Sequence, residues 1–141
     1  DVNGAENEAI TGTIDISATV MDRAKIQPYN GLQGKSLLPT INKPDDKGSR
    51  DAILIEEDNQ RVLPGLGPNP KARTLITKTW RLSVYHGQNW GELYDLENDP
   101  GELKNLWDTK EYKDVKAMMF ERLIQEQISL NDTSPLPLGR A

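Results

Sequence analysis

The stretch 80–96 constrains the fold more than any other part of the chain. Trp80, Leu82 and Val84 alternate with more polar residues, and a period of two is typical of a strand with one buried face. Residues 86–89 interrupt this run with turn formers, and a second apolar run follows them. The stretch therefore predicts two antiparallel strands joined by a short turn. Their predicted ranges are 80–86 and 91–96.

Two more segments complete a small sheet, and one long segment covers it. Short apolar runs predict strands at 52–57 and 72–77, so we expect about four short antiparallel strands. After residue 110 the apolar residues recur at helical spacing, which predicts a long C-terminal helix packed on the sheet. This arrangement belongs to the α+β class. The predicted apolar stripe of the helix contains Val115, Met118, Met119, Phe120, Leu123 and Ile124.

The N-terminal third of the chain predicts a helix and a linker and no strand. Ile16 and Val20 belong to a four-residue repeat of apolar positions, which predicts an amphipathic helix over about 15–25. Asp15 is the expected capping residue at its start. Proline and glycine then punctuate the sequence, as they do in a linker. We therefore divide the chain into residues 1–49, the helix and linker, and residues 50–141, the domain that carries the sheet.

Charge and cysteine content exclude several classes of function. Lys+Arg 17 against Asp+Glu 22 gives a formal net charge of −5, which argues against nucleic acid or an anionic membrane as the main partner. The chain has no cysteine, so disulfides and thiolate chemistry are excluded. No apolar run is long enough to span a bilayer. The chain begins with Asp1, which indicates a fragment or a processed product, and bacterial cytoplasm and periplasm are both compatible with its composition.

Three motifs lie in one order along the chain. The first comprises Ile14–Ile26 and the Gly31–Pro39 segment, the second is Arg73–Leu82, and the third is Gly91-Glu-Leu-Tyr-Asp-Leu-Glu-Asn-Asp-Pro-Gly-Glu102 followed by Asn105-Leu106. Together they resemble the helix and linker, the strand pair and the hallmark at the carboxyl end of the sulfatases, the arylsulfatase-like sulfuric ester hydrolases. Because the resemblance is collinear and covers most of the chain, it is more specific than any one motif.

The resemblance implies the C-terminal part of an enzyme that hydrolyses sulfate esters or sulfamates. Sulfatases use a formylglycine nucleophile, made in a Cys/Ser-x-Pro/Ala-x-Arg motif, and a divalent cation, usually calcium. This chain lacks the motif and the family's cation ligands, and the Asp45–Asp46 pair is interpreted as loop charge. We therefore predict no catalytic residue, no metal site and no activity for the chain alone. The implied partners are the catalytic N-terminal domain of the same sulfatase and a sulfated small molecule or glycan.

Loops of the small domain help to close the substrate pocket in that family, which implies contacts from cationic and aromatic side chains. The substrate-binding candidates are His86, Trp90 and Arg73, and Arg81 and Lys78 are considered beside them. Each has a structural alternative: a turn residue for His86, a core or rim position for Trp90, and cross-strand ion pairs for the arginines. The possible carboxylate partners of the arginines are Glu56, Glu57 and Glu92.

The turn that follows the second strand of the hairpin is interpreted as a structural motif. Asp95 and Asp99 are predicted to accept backbone N–H groups, and Gly101 permits a positive φ. Asn131-Asp-Thr matches the short N-glycosylation pattern, which carries little weight. Two alternatives to a sulfatase domain stay open at this point. They are a stand-alone glycan-binding module, which the net negative charge disfavours, and an oligomerisation domain that shares the fold.

Overall fold

The computed structural model describes residues 4, 6–43 and 45–130 of the chain. These residues form two compact units. One contains the described residues up to Asp51 together with Ser129 and Leu130, and the other is Ala52–Ile128. Within the described part of the chain, no helix combines the length and the hydropathy needed to cross a membrane. The Asn131 glycosylation pattern lies outside the described residues.

The smaller unit contains two helices, α1 (Ile14–Arg23) and α2 (Leu38–Asn42). α1 is shorter than the predicted helix because the chain turns at Lys25, which has a φ of 58°. The N–H of Ile26 donates to the carbonyl of Met21 at 2.9 Å, which closes the helix end in a Schellman motif. The apolar stripe of α1 is largely open to solvent, since Ile16 is 60% and Val20 is 61% exposed.

Asp15 lies inside the first turn of α1 and not at its cap. The N-cap position is Thr13, whose side chain makes no capping hydrogen bond, so the predicted role of Asp15 is wrong. The buried Asp15 carboxylate accepts N–H groups from Gly12 and Lys35, each at 2.8 Å, and forms an ion pair with Arg50. A carboxylate removed from water needs such partners, so Asp15 joins the start of α1 to Lys35 and Arg50 within this unit.

The larger unit is built on a four-stranded antiparallel sheet, as predicted. In chain order the strands are β1 (Ala52–Asp58), β2 (Val62–Leu63), β3 (Gly67–Pro68), β4 (Lys71–Thr77), β5 (Trp80–Tyr85) and β6 (Gly91–Asp95). The sheet order is β1-β4-β5-β6, and β2 and β3 form a separate ladder. Each of the four predicted strands is present, and its ends lie within one residue of those predicted.

The segment between β1 and β4, whose prolines and glycines favour a loop, is not irregular throughout. It contains the two-stranded ladder, in which Val62 lies opposite Pro68. Gly65 and Gly67 adopt φ values of 81° and 75° and let the chain reverse between the two short strands. Strands of two residues are too short to show an alternating pattern, so the sequence gives no period from which to predict them.

The core lies on one face of the sheet. Leu75, Leu82 and Leu93 are opposite one another on adjacent strands and have no solvent exposure. α3 (Lys113–Ser129) covers them with the buried side chains of Met119 and Leu123. Burial of each leucine stabilises the fold by about 1.5–3 kcal/mol. The predicted packing of the last helix against the sheet is therefore confirmed.

The buried stripe of α3 is narrower than the sequence predicts. Val115 and Phe120 pack against the core as partly buried residues, but Met118 and Ile124 are exposed. On a helix of 3.6 residues per turn, positions one step before and one step after the buried Met119 and Leu123 point sideways or outward. An apolar residue on an exposed helix face is common in proteins and needs no core partner.

Trp107 joins the last strand to α3. Its ring lies 5.7 Å from that of Phe120 in an edge-on arrangement, and the Lys116 ammonium lies 4.4 Å from the indole centroid, a favourable cation–π distance. The indole also lies against Gly91, where a Cβ would come within 2.4 Å of Trp107 Cζ3. Glycine at the start of β6 is thus a condition for this packing.

The turn after β6 is held by carboxylates, as predicted. Asp95 accepts the backbone and side-chain N–H groups of Asn98 at 3.0 and 2.9 Å, and these bonds lower the pKa of Asp95. Asp99 accepts two backbone N–H groups further along the turn, at 3.1 and 2.8 Å. The positive φ in this turn lies at Glu102, at 53°, and not at Gly101, where a glycine would permit it.

Candidate functional site

The three predicted substrate-binding residues lie at one end of the sheet. Arg73 in β4 is opposite Val84 in β5, and the backbone N–H of His86 donates to the carbonyl of Lys71 at 2.9 Å. Trp90 immediately precedes β6, so it shares with His86 the turn that joins β5 and β6. Antiparallel pairing therefore places all three residues near the β5–β6 turn. Lys78 lies in the β4–β5 turn, at the other end of the sheet.

Arg73 is engaged by two carboxylates. Its Nε lies 2.8 Å from Glu56 Oε1, and its Nη1 lies 2.9 Å from Asp58 Oδ1. The hydrogen bond to Arg73 lowers the pKa of Asp58, and the same bond raises the pKa of Arg73. The alternative prediction of a cross-strand ion pair between Arg73 and Glu56 is confirmed. A sulfate group that reached Arg73 would compete with both carboxylates.

An aromatic pair, which we name the aromatic ledge, consists of Tyr85 and Trp90. Their ring centroids are 4.8 Å apart, with an angle of 39° between the planes. Trp90 is 39% exposed, which places it at the rim and not in the core. The Tyr85 hydroxyl donates to Glu92 Oε2 at 3.0 Å. Burial, followed by the charge of Glu92, raises the pKa of Tyr85 to about 12, so the hydroxyl keeps its proton at neutral pH.

Arg81 continues this network across the outer face of the sheet, the face opposite the core. Its Nη2 lies 3.6 Å from Glu92 Oε2, and its Nη1 forms an ion pair with Glu102. The guanidinium also lies 5.7 Å from the centroid of the Tyr94 ring. The predicted pair between Arg81 and Glu92 is confirmed, and Glu102 is an additional partner. Among the buried side-chain atoms of the described residues, Arg81 Nε makes no hydrogen bond.

Sequence reasoning missed Tyr85 and Glu102 as members of this network. The pairing of β5 with β6 would have indicated Tyr85 as a partner of Glu92. Ser83 lies opposite Glu92, which makes Tyr85 a diagonal neighbour of Glu92 on the same face. No comparable signal existed for Glu102. It follows the strands and is brought back to Arg81 by the turn that Asp99 holds, a path that no periodicity predicts.

The described residues do not provide a metal site. Within residues 4, 6–43 and 45–130, no group of three or more His, Cys, Asp or Glu is arranged to hold a cation. The carboxylate of Asp46 is used in its own loop, where it accepts the N–H of Gly48 at 2.8 Å. The ligand set of a hard cation such as calcium needs six or more oxygens, which this arrangement does not supply.

Comparison with known proteins identifies similar sequences over nearly the whole chain. Residues 2–129 match the family described as N-sulphoglucosamine sulphohydrolase, C-terminal. The chain is 28% identical over 127 residues to an uncharacterized protein of Haemophilus influenzae. It is 24% identical over 136 residues to the N-acetylglucosamine-6-O-sulfatase of Bacteroides thetaiotaomicron. It is also 30% identical over 105 residues to arylsulfatase K of Gallus gallus.

Each alignment covers most of this chain and a smaller part of the relative. The Haemophilus alignment covers 90% of the chain and 61% of the relative. The Bacteroides alignment covers 94% of the chain and 24% of the relative, and the Gallus alignment covers 70% and 19%. The chain thus spans about a quarter or less of the two sulfatases.

Solved structures share the fold. The structure of BT4656 in complex with D-glucosamine-2-N,6-O-disulfate has a TM-score of 0.77 at 23% identity, over 92% of this chain and 27% of that one. The phosphonate monoester hydrolase of Agrobacterium radiobacter has a TM-score of 0.74 at 25% identity, over 90% of this chain and 27% of that one. The same fold is therefore present in a protein solved with a sulfated glucosamine and in a protein named as a phosphonate monoester hydrolase.

Proposed function

The chain belongs to the N-sulphoglucosamine sulphohydrolase C-terminal family, and on that premise we propose that it is the C-terminal domain of an enzyme that hydrolyses sulfate esters or sulfamates. The observation that carries the proposal is the match over residues 2–129. Its support is the relationship to two proteins named as sulfatases, of which the chain spans 24% and 19%. The rest of such an enzyme would carry the reaction.

The proposed role of this chain is to pack on the catalytic N-terminal domain of the same sulfatase. The exposed stripe of α1 supports this role, because Ile16 and Val20 leave apolar side chains in water that a larger domain would cover. Residues 1–49 would then be the end of the catalytic domain with its linker, and residues 50–141 the small C-terminal domain.

The catalytic domain would supply the formylglycine nucleophile and the divalent cation, usually calcium, that the family resemblance implies. The described residues of this chain do not fit a cation cage, so no step of the reaction is assigned to them. The chain alone is expected to be inactive. Its contribution to catalysis would be to shape one wall of the substrate pocket with Trp90 and His86, both of which are exposed at the β5–β6 turn.

Arg73 is also proposed to line that wall, although its two carboxylate partners change what it can do. A guanidinium paired with Glu56 and Asp58 is oriented by them and has fewer N–H donors left for a ligand. We therefore assign Trp90 and His86 the direct contacts with substrate. Arg73 would act at the edge of the pocket, where it sets local charge.

A direct test compares sulfate hydrolysis by this chain with hydrolysis by a polypeptide that joins it to its catalytic domain. The substrates are 4-nitrocatechol sulfate, N-acetylglucosamine 6-sulfate and, as a control for the reaction of the phosphonate monoester hydrolase that shares this fold, the monoester 4-nitrophenyl phenylphosphonate. We expect the longer polypeptide to hydrolyse a sulfate and the chain alone to hydrolyse none. Turnover by the chain alone, or hydrolysis of the phosphonate without any sulfate, would overturn the proposal.

The alternatives are a stand-alone glycan-binding module and an oligomerisation domain. The coding sequence upstream of the chain separates them from a sulfatase, because a sulfatase requires a Cys/Ser-x-Pro/Ala-x-Arg motif there. If that motif is absent, the proposal is wrong and the non-enzymatic alternatives gain support. Sedimentation of the chain then distinguishes a monomeric binding module from an oligomer.

A further inference from the structure

The outer face of the sheet around the aromatic ledge carries more negative than positive charge. Arg81 is flanked by Glu92 and Glu102, and Glu57 lies opposite Ala72, the residue that pairs with Tyr85. Three carboxylates thus accompany one guanidinium on this face. An anion that approached the ledge would meet repulsion from these carboxylates, because like charges disfavour one another at short range.

Arg73, at the same end of the sheet, is already engaged. It pairs with Glu56 and Asp58. Its position in the register places it on the face of Leu75, opposite the face of Tyr85. Arg73 therefore offers a sulfate group at the ledge no uncompensated positive charge. The charge arrangement therefore disfavours recognition of a sulfate here, which is the opposite of what the presence of Arg73 in the sequence suggests.

The ledge itself has the chemistry that binds a sugar ring. Trp90 exposes part of a large aromatic surface and is backed by the Tyr85 ring at 4.8 Å. Aromatic side chains present an apolar body beside polar groups, and the C–H face of a pyranose is the matching ligand surface. Carboxylates such as Glu92 accept hydrogen bonds from hydroxyl groups without needing a charged partner.

We propose that the aromatic ledge binds the uncharged ring of a sugar and keeps the sulfate group away from this domain. The inference rests on the proposed function, since the sugar would be part of the substrate of the sulfatase. Tyr85 acts in it as a positioning residue. Its ring supports Trp90, and its hydroxyl is fixed by Glu92 at 3.0 Å, so the exposed indole is held in one orientation before the ligand arrives.

A pre-oriented aromatic ring loses less conformational freedom on binding than a mobile one. The network that fixes it extends from Tyr85 through Glu92 and Arg81 to Glu102. Glu102 belongs to the turn held by Asp99. The inference therefore gives the turn hallmark a second role beside stability, because it anchors the far end of the network that orients the ledge.

The test is a titration of the full 141-residue chain, observed through the indole N–H signals in NMR spectra. The probes are N-acetylglucosamine, N-acetylglucosamine 6-sulfate and sodium sulfate. We expect the neutral sugar to shift the Trp90 signal saturably and the sulfated sugar to bind no more tightly. Sodium sulfate is expected to leave the signal unchanged.

Three variants assign the effect to the ledge. Trp90→Ala should abolish the saturable response, and Trp90→Phe should weaken binding by less than about ten-fold because a smaller ring remains. Tyr85→Phe keeps the supporting ring but loses the bond to Glu92, and it should weaken binding of the sugar without unfolding the chain. Tyr29→Ala removes another exposed aromatic ring, 63% exposed in the smaller unit, and should change nothing.

Two results would overturn the inference. One is binding of the 6-sulfate about ten-fold or more tighter than the neutral sugar, or a saturable shift with sodium sulfate, since either would make the ledge an anion site. The other is no response of Trp90 to any sugar. Neither result affects the assignment to a sulfatase, which is tested separately by sulfate hydrolysis with the longer polypeptide.

Discussion

Replacement of Gly91 by alanine tests whether the Trp107 indole fixes the spacing between β6 and α3. A Cβ at this position would lie 2.4 Å from Trp107 Cζ3 and 2.6 Å from the carbonyl oxygen of Ser83. The oxygen belongs to the neighbouring strand, so the ring and the strand must both shift. Overpacking of this kind costs about 1–3 kcal/mol. For a unit of this size, each kcal/mol lowers Tm by roughly 4–8 °C.

The assay is urea unfolding followed by circular dichroism. Gly101→Ala is the matched control, because its Cβ would meet Leu103 Cγ at an ordinary 3.5 Å, and we expect it to change the free energy of unfolding by less than about 0.5 kcal/mol. Introduced into a Trp107→Ala background, Gly91→Ala should cost less than in the wild type, since the ring is gone. Equal losses at Gly91 and Gly101, or an undiminished loss without the indole, would refute the reasoning.

Three further substitutions test the carboxylates. The pKa of Asp95 is lowered in the folded state, so its stabilisation is complete above the unfolded pKa of about 3.9 and is lost as pH falls through the folded pKa. Wild type should therefore lose more stability on acidification than Asp95→Asn, as urea midpoints at several pH values will show; parallel curves would contradict this. Asp99→Ala leaves two backbone N–H groups without their acceptor and should lower the free energy of unfolding by about 1 kcal/mol; an unchanged thermal melt would count against it. Arg50→Ala leaves the buried Asp15 without its ion-pair partner and should destabilise the smaller unit by about 3 kcal/mol or more, measured by hydrogen exchange in α1; exchange as slow as in the wild type would exclude that role.

The sheet could be predicted from the sequence because its information is local. Trp80, Leu82 and Val84 recur with a period of two within one strand, and turn residues mark the strand ends. Two features that depend on particular partners were not predicted. The carboxylate of Asp15 is satisfied by Arg50, far along the chain, whereas a helix-start pattern suggests only a cap. The left-handed residue at Glu102 is imposed by the bonds to Asp99 in spite of the neighbouring glycine.

The sequence predicts which residues belong to the candidate site better than it predicts the charge around them. Trp90 and His86 stand beside a predicted turn, and their residue types indicate exposure or ligand contact. Arg73 carries a positive charge, but the pairing of β1 with β4 determines which carboxylates compensate that charge. Glu56 lies directly opposite Arg73. The net charge of this surface depends on residues from several strands and a turn. The order of residues in the sequence therefore does not show whether the surface is positive or negative.

The most direct test of the account is the effect of Trp90→Ala on the polypeptide that joins this chain to its catalytic domain. Two sulfates are compared by kcat/KM, the sugar ester N-acetylglucosamine 6-sulfate and the small aryl ester 4-nitrocatechol sulfate. We expect the variant to lose about ten-fold or more for the sugar ester, through KM, and to keep its rate for the aryl ester. An equal loss for both substrates, or no loss for either, would contradict a domain that shapes the pocket and leaves the reaction to its partner.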